Sequence, residues 1–135
     1  MVLSTTTYDG EKHCRIIHEP SKSQIETDAP KDNNGKGEKF SPTDLLGAAL
    51  GSCILTTIAI VFEKDGLDLT GAKAEVTKEM LASPRRIAKL NVRLHFPKGI
   101  DVQLRPKIEK IAHACPVHKS LHPDIEMPIE CIYPD

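Results

Sequence analysis

Four cysteines carry most of the chemistry this chain of 135 residues can offer, and two sit in surroundings unlike the others. Cys53 falls in the middle of an uncharged apolar run, directly after Gly51-Ser52. Cys115 is followed by Pro116, which favours the first turn of a helix and places the thiol at a helix N-terminus. A thiol there feels the positive end of the helix dipole and ionises more easily, whereas a free cysteine inside apolar sequence is commonly a small buried hydrophobe. Both readings stand for Cys53. Cys14 and Cys131 fall within expected strands and read as structural. His113, Cys115, His118 and His122 form a second constellation. Cys115-x-x-His118 and the i, i+4 pair His118 and His122 have spacing usable for zinc, but one local cysteine and no acidic partner leave a four-ligand set incomplete. His118, three residues after Cys115, can instead stabilise a thiolate.

These residues need elements to hold them. Residues 2–8 are Thr-rich and β-favouring, Asp9-Gly10 is a hairpin signal, and 12–17 continues the ribbon. Residues 23–28 supply a third strand. A polar stretch over 30–39, with Gly35 and Gly37, reads as an exposed, mobile loop. Ser41, Pro42 and Asp44 then form a helix start: N-cap, first helical position and an acid at the positive dipole end. The helix is expected to run to Asp65 and stop at Gly66, roughly 36 Å at 1.5 Å per residue. A helix this long and apolar requires either a sheet wrapped around it or a second chain over its far side. Residues 70–80 and 86–96 form a strand pair, the second alternating Ala88, Leu90, Val92, Leu94 and Phe96 with polar residues around a turn at 82–85. Asp101 caps a helix to about His113, with Pro106 in its first turns. A short helix opens at Cys115-Pro116, and 125–133 closes as a strand. The order βββ-α-ββ-αα-β specifies an α+β fold in a single domain over 1–135.

Composition narrows the function classes. Lys and Arg number 18 against 19 Asp and Glu, a net charge of −1 that gives no footprint for nucleic acid. Aromatics are 4% with no Trp, so the core is aliphatic and lean, a condition that oligomerisation relieves. Residues 45–62 carry no charge and reach the lower edge of a membrane span, but the small and hydroxylated residues 47, 51, 52, 56 and 57 and the missing flanking belts argue for a buried soluble helix. The first residues lack a secretory pattern, and free thiols suit a reducing cytoplasm.

The run Phe40-Ser41-Pro42-Thr43-Asp44-Leu45-Leu46-Gly47-Ala48-Ala49-Leu50-Gly51-Ser52-Cys53, followed about sixty residues later by Ala114-Cys115-Pro116-Val117-His118-Lys119-Ser120-Leu121, resembles the OsmC/Ohr family, and the resemblance covers nearly the whole chain. It implies an OsmC-like fold, an intertwined homodimer with long central helices between sheets, and active sites at the subunit interface. The Gly47-x-x-x-Gly51 spacing suits close helix approach. It also implies a thiol peroxidase that reduces organic hydroperoxides, with Cys53 peroxidatic, Cys115 resolving, a dithiol or lipoyl-type reductant, and neither cofactor nor metal. The established peroxidases carry a Glu just inside the long helix, where this chain has Thr43 with Asp44 beside it. They also use an Arg from the N-terminal sheet, for which Arg15 is the only counterpart before Cys53. Arg15, Asp44 and His118 are thus the candidate activators. The alternatives are an OsmC-like dimer that binds a small apolar ligand without efficient turnover, and a zinc-stabilised module built on Cys115, His118 and His122.

Overall fold

The computed structural model describes residues 1–134 in two compact units, 1–46 and 47–134. The first unit opens with an antiparallel three-stranded sheet in the order β1 (Ser4–Gly10), β2 (His13–His18), β3 (Ser23–Asp28). The β1–β2 turn lies at Glu11-Lys12, both left-handed at φ 52° and 61°, and not at Asp9-Gly10 as the dipeptide suggests. Asp9-Gly10 instead takes up the register shift between Tyr8 and Gly10, and the Lys12 N–H donates to the Tyr8 hydroxyl at 3.1 Å. The loop after β3 is exposed as expected, yet it is stitched down rather than loose. Gly35 N–H donates to the Pro30 carbonyl at 2.9 Å and Gly37 N–H to Ala29 at 3.1 Å, around a single 3-10 turn at Lys31–Asn33.

Helix α1 (Pro42–Val61) begins where Ser41 predicts it. The Asp44 N–H donates to the Ser41 hydroxyl at 3.1 Å, and Asp44 Oδ2 accepts the Ser41 N–H at 2.9 Å. This is a reciprocal capping box with Asp in the usual Glu position. The helix is shorter than expected: it ends at Val61, and Glu63–Asp65 tighten into a 3-10 turn before Gly66, which caps it in the left-handed region as foreseen.

In the second unit β4 (Lys73–Ala82), β5 (Arg85–His95) and β6 (Ile129–Ile132) form a sheet in that order, β6 parallel to β5. Leu50, Ile54 and Ile58, one turn apart on α1, are fully buried, as are Leu90 and Leu94 on alternate positions of β5. Two periodicities thus meet in one aliphatic core. Ile108 and Ala112 of α2 (Arg105–Ala112) complete it. The alternation breaks at one place. A register shift between Glu79 and Met80 pairs Met80 with Ile87, so Ile87 is buried and Ala88, expected inside, is only half-buried. Helix α2 also starts later than the Asp101 cap implies, because Asp101 accepts the Gln103 N–H at 2.9 Å and caps a separate 3-10 turn, Val102–Leu104. Pro106 then falls in the first turn of α2, where its missing N–H costs nothing. The last strand is shorter than 125–133, since Pro128 has no N–H and contributes only its carbonyl, to Val92 at 2.9 Å.

The Gly47-x-x-x-Gly51 face serves the sheet of its own unit. A Cβ on Gly47 would stand 3.4 Å from Val76, and one on Gly51 would stand 3.2 Å from the Ala74 methyl. The Gly47 position would accept that contact as ordinary packing, whereas at Gly51 a side chain would press on β4. Away from the sheet the helix exposes Leu46, Ile60 and Val61, Ile60 at 73%. Its length and composition alone would allow it to cross a membrane. Its Leu50–Ile54–Ile58 stripe is instead the centre of a protein core.

Candidate active site

Cys53 and Cys115 come together within the second unit. Cys53 is half-buried at mid-α1, and its Sγ lies 3.9 Å from the Thr57 hydroxyl one turn on. Cys115 is fully buried and forms the N-cap of α3 (Pro116–Ser120), where its Sγ accepts the His118 N–H at 3.3 Å. Both are free thiols. Burial pushes the Cys115 thiol up, the His118 amide opposes that, and the hydrogen-bonding contact with the Cys53 sulfur pushes it further up. Cys115 therefore holds its proton more tightly than an ordinary thiol, and can offer it as a hydrogen bond.

The other candidates are placed as follows. His118 meets Cys115 through its backbone, while its ring stands edge-on to His113 with centroids 5.6 Å apart. Burial and the neighbouring His113 charge hold His118 below the usual imidazole range, so the ring is neutral at neutral pH. Asp44 has the structural task of capping α1. Arg15 is engaged by Asp9 through two bonds, Nε to Oδ2 at 2.6 Å and Nη2 to Oδ1 at 3.2 Å. His122 is exposed and turns Nδ1 to the Asp124 N–H at 3.1 Å. Among the described residues no three His, Cys, Asp or Glu side chains converge as a metal ion requires, so the zinc constellation is not assembled. Cys131 is held up to about 11 by burial and by Glu109, which leaves it a thiol at physiological pH.

Two groups escaped the sequence reading. Thr57 lies four residues after Cys53, a spacing that puts both on one helix face and was there to be used. The second is a charged cluster in the first unit. His13 joins Asp28 at 2.6 Å through Nδ1 and Glu26 at 3.1 Å through Nε2, beside a cleft of about 340 Å³ lined also by Asp9, Glu11, Lys36 and Lys39. Asp28, whose side chain is 3% exposed, also accepts the Glu38 N–H at 3.1 Å, and its own N–H donates to the Phe40 carbonyl at 3.0 Å. The signal for it was the β2–β3 register, which sets His13 opposite Asp28.

Residues 35–130 match the OsmC-like protein family, and the chain belongs to it. It is similar to a crystal structure from Psychrobacter arcticus 273-4 provisionally described as an osmotic stress induced and detoxification response protein. The two are 43% identical over 98% of this chain and 96% of that one, with a TM-score of 0.93. The organic hydroperoxide resistance protein OhrB of Bacillus subtilis shares the fold at a TM-score of 0.71 and 15% identity, over 98% of each chain. The uncharacterized protein YmaD of Bacillus subtilis is 28% identical over 109 residues, 75% of this chain and 73% of its own length.

Proposed function

We propose that this protein is a thiol peroxidase for organic hydroperoxides, working as a homodimer in the cytoplasm. The observation that carries the reading is the contact of two free thiols of unequal access, Cys53 half-buried and Cys115 fully buried. The Cys53 thiolate attacks the outer oxygen of ROOH and the O–O bond breaks. Cys53 becomes a sulfenic acid, and the alkoxide leaves and takes a proton as ROH. Cys115 then supplies its sulfur, the sulfenic oxygen departs as water, and a Cys53–Cys115 disulfide remains. A dithiol or lipoyl-type reductant takes up that oxidation as its own disulfide and restores both thiols. Aliphatic neighbours of Cys53 suit an apolar R group, and no cofactor enters the balance.

Kinship with an organic hydroperoxide resistance protein of the same fold supports the assignment. The exposed Leu46, Ile60 and Val61 on α1 support a second copy covering that face. The family match runs from the end of the first unit, at 35, to 130, and the Psychrobacter arcticus structure aligns over 98% of the chain, which supports one OsmC-like domain over 1–135. Arg15, bonded to Asp9, is tested by Arg15→Ala: a first oxidation as fast as the wild type's leaves activation to the side chains beside Cys53.

One feature favours the alternative of a binding protein without efficient turnover: Thr43 stands where the family's peroxidases place a glutamate. The decisive assay follows cumene hydroperoxide consumption in the presence of dihydrolipoamide. The wild type consumes it catalytically and Cys53→Ser does not. Equal rates in the two proteins remove the enzyme and leave the binding reading.

A further inference from the structure

Cys53 sits at mid-helix, where the dipole gives a thiolate almost nothing, so its charge needs a donor from a side chain. The structure offers Thr57. Two adjacent threonines on α1 behave differently. Thr56 bonds back to the helix in the common way for a helical hydroxyl, donating to the Ser52 carbonyl at 3.0 Å and the Cys53 carbonyl at 3.2 Å. Thr57 turns its hydroxyl to the Cys53 sulfur, 3.9 Å away. That contact is long for a neutral thiol, and a sulfur that takes on charge draws the donor closer. The second donor in reach is the Cys115 S–H, which burial keeps protonated.

We propose that Thr57 is a positioning residue for Cys53: its hydroxyl donates to the Cys53 sulfur and, together with the Cys115 S–H, holds the thiolate with neutral donors in place of a cation. The purpose of this arrangement rests on the peroxidase reading, although its geometry does not. It gives the site a way to ionise Cys53 in a wall of aliphatic residues without burying a guanidinium there.

The test uses the reduced full-length protein and iodoacetamide, with labelling of each cysteine followed peptide by peptide across the pH range. In Thr57→Val, which keeps the shape and removes the hydroxyl, the Cys53 profile moves to higher pH by about one unit, equivalent to about tenfold less labelling below the midpoint. Thr57→Ser returns it to the wild-type position. Cys131, on β6, labels alike in all three and reports on folding. If Thr57→Val exposes Cys131, Thr57→Ala carries the same test. A Thr57→Val profile that superimposes on the wild type overturns the proposal, and so does a Thr57→Ser profile displaced as far as the valine one. A wild type that shows no peroxide turnover, with the valine shift present, overturns the enzyme and leaves the hydrogen bond standing.

Discussion

His13 in the first unit is held between Asp28 at 2.6 Å and Glu26 at 3.1 Å, with Lys39 on Glu26 and Arg15 on the nearby Asp9, whereas Cys53 and Cys115 meet at an aliphatic core, with the Thr57 hydroxyl near one sulfur and the His118 amide on the other. Both clusters bring titratable groups into contact. In the first, opposite charges favour ionisation: His13 is raised, first by its bond to Asp28, and Asp28 is lowered, first by its bond to His13. In the second, burial suppresses ionisation and Cys115 is raised. The difference separates two uses of a perturbed group. Charge pairing yields a fastening in which each partner favours the other's charged form. Apolar burial yields a group that holds its proton and lends it only as a hydrogen bond.

The sharpest way to break this contrast is to remove one thiol. Cys115→Ser leaves Cys53 able to react once, so peroxide consumption stops after one equivalent per chain, and Cys53 accumulates as a sulfenic acid that dimedone traps. Steady turnover in Cys115→Ser defeats the pairing. A smaller effect tests the aliphatic wall. Ile54, fully buried beside Cys53 in sequence, costs about 2–5 kcal/mol when cut to alanine, read as a lower urea midpoint at unchanged slope. Loss well under that range shows that the site collapses around the gap.

The smallest effect belongs to the charged cluster and is visible in its pH and salt dependence. His13 has its folded pKa above the unfolded value near about 6.5, so its contribution is complete below that pH and is lost as pH rises through the folded value. Asp28 has its folded pKa below about 3.9, so its contribution holds above that and is lost as pH falls through the folded value. The pair therefore stabilises fully between about pH 4 and 6.5. The stability difference between wild type and His13→Gln is flat there, shrinks at higher pH, and weakens in high salt because the ring is partly exposed. A difference that grows above neutrality contradicts the pairing. The same salt leaves the Cys53 labelling profile in place.

Much of this was legible in the sequence, and for identifiable reasons. Ser41, Pro42 and Gly66 marked the ends of the α1 segment because caps are local chemistry, and the α+β order followed from periodicities that need no tertiary knowledge. The Cys53–Cys115 juxtaposition came only through family resemblance, since 62 residues of spacing say nothing about distance. The misses lie where neighbours decide. Asp9-Gly10 lost the turn to Glu11-Lys12 once β1 and β2 had a register, and the bulge opposite Met80 put Ile87 inside in place of Ala88. Asp44 is a different case: an acid near a helix start has two possible employments, and its bonds to Ser41 show the capping one. Thr57 passed unnoticed as a diluting polar residue when its spacing from Cys53 was the informative fact.

The glycine seat of α1 has a consequence for electron chemistry as well as for packing. Gly51 is two residues from Cys53, and a methyl added there would press on Ala74 at 3.2 Å and Val76 at 3.3 Å, so either β4 yields or the helix lifts by a few tenths of an ångström. Disulfides accept Cα separations only between about 4.4 and 6.8 Å, and strain within that window makes the bond easier to reduce. On the peroxidase reading proposed above, the sheet contact thus acts as a ruler for the Cys53–Cys115 disulfide, and Gly51→Ala shifts the ease of its reduction through a contact that contains no sulfur at all.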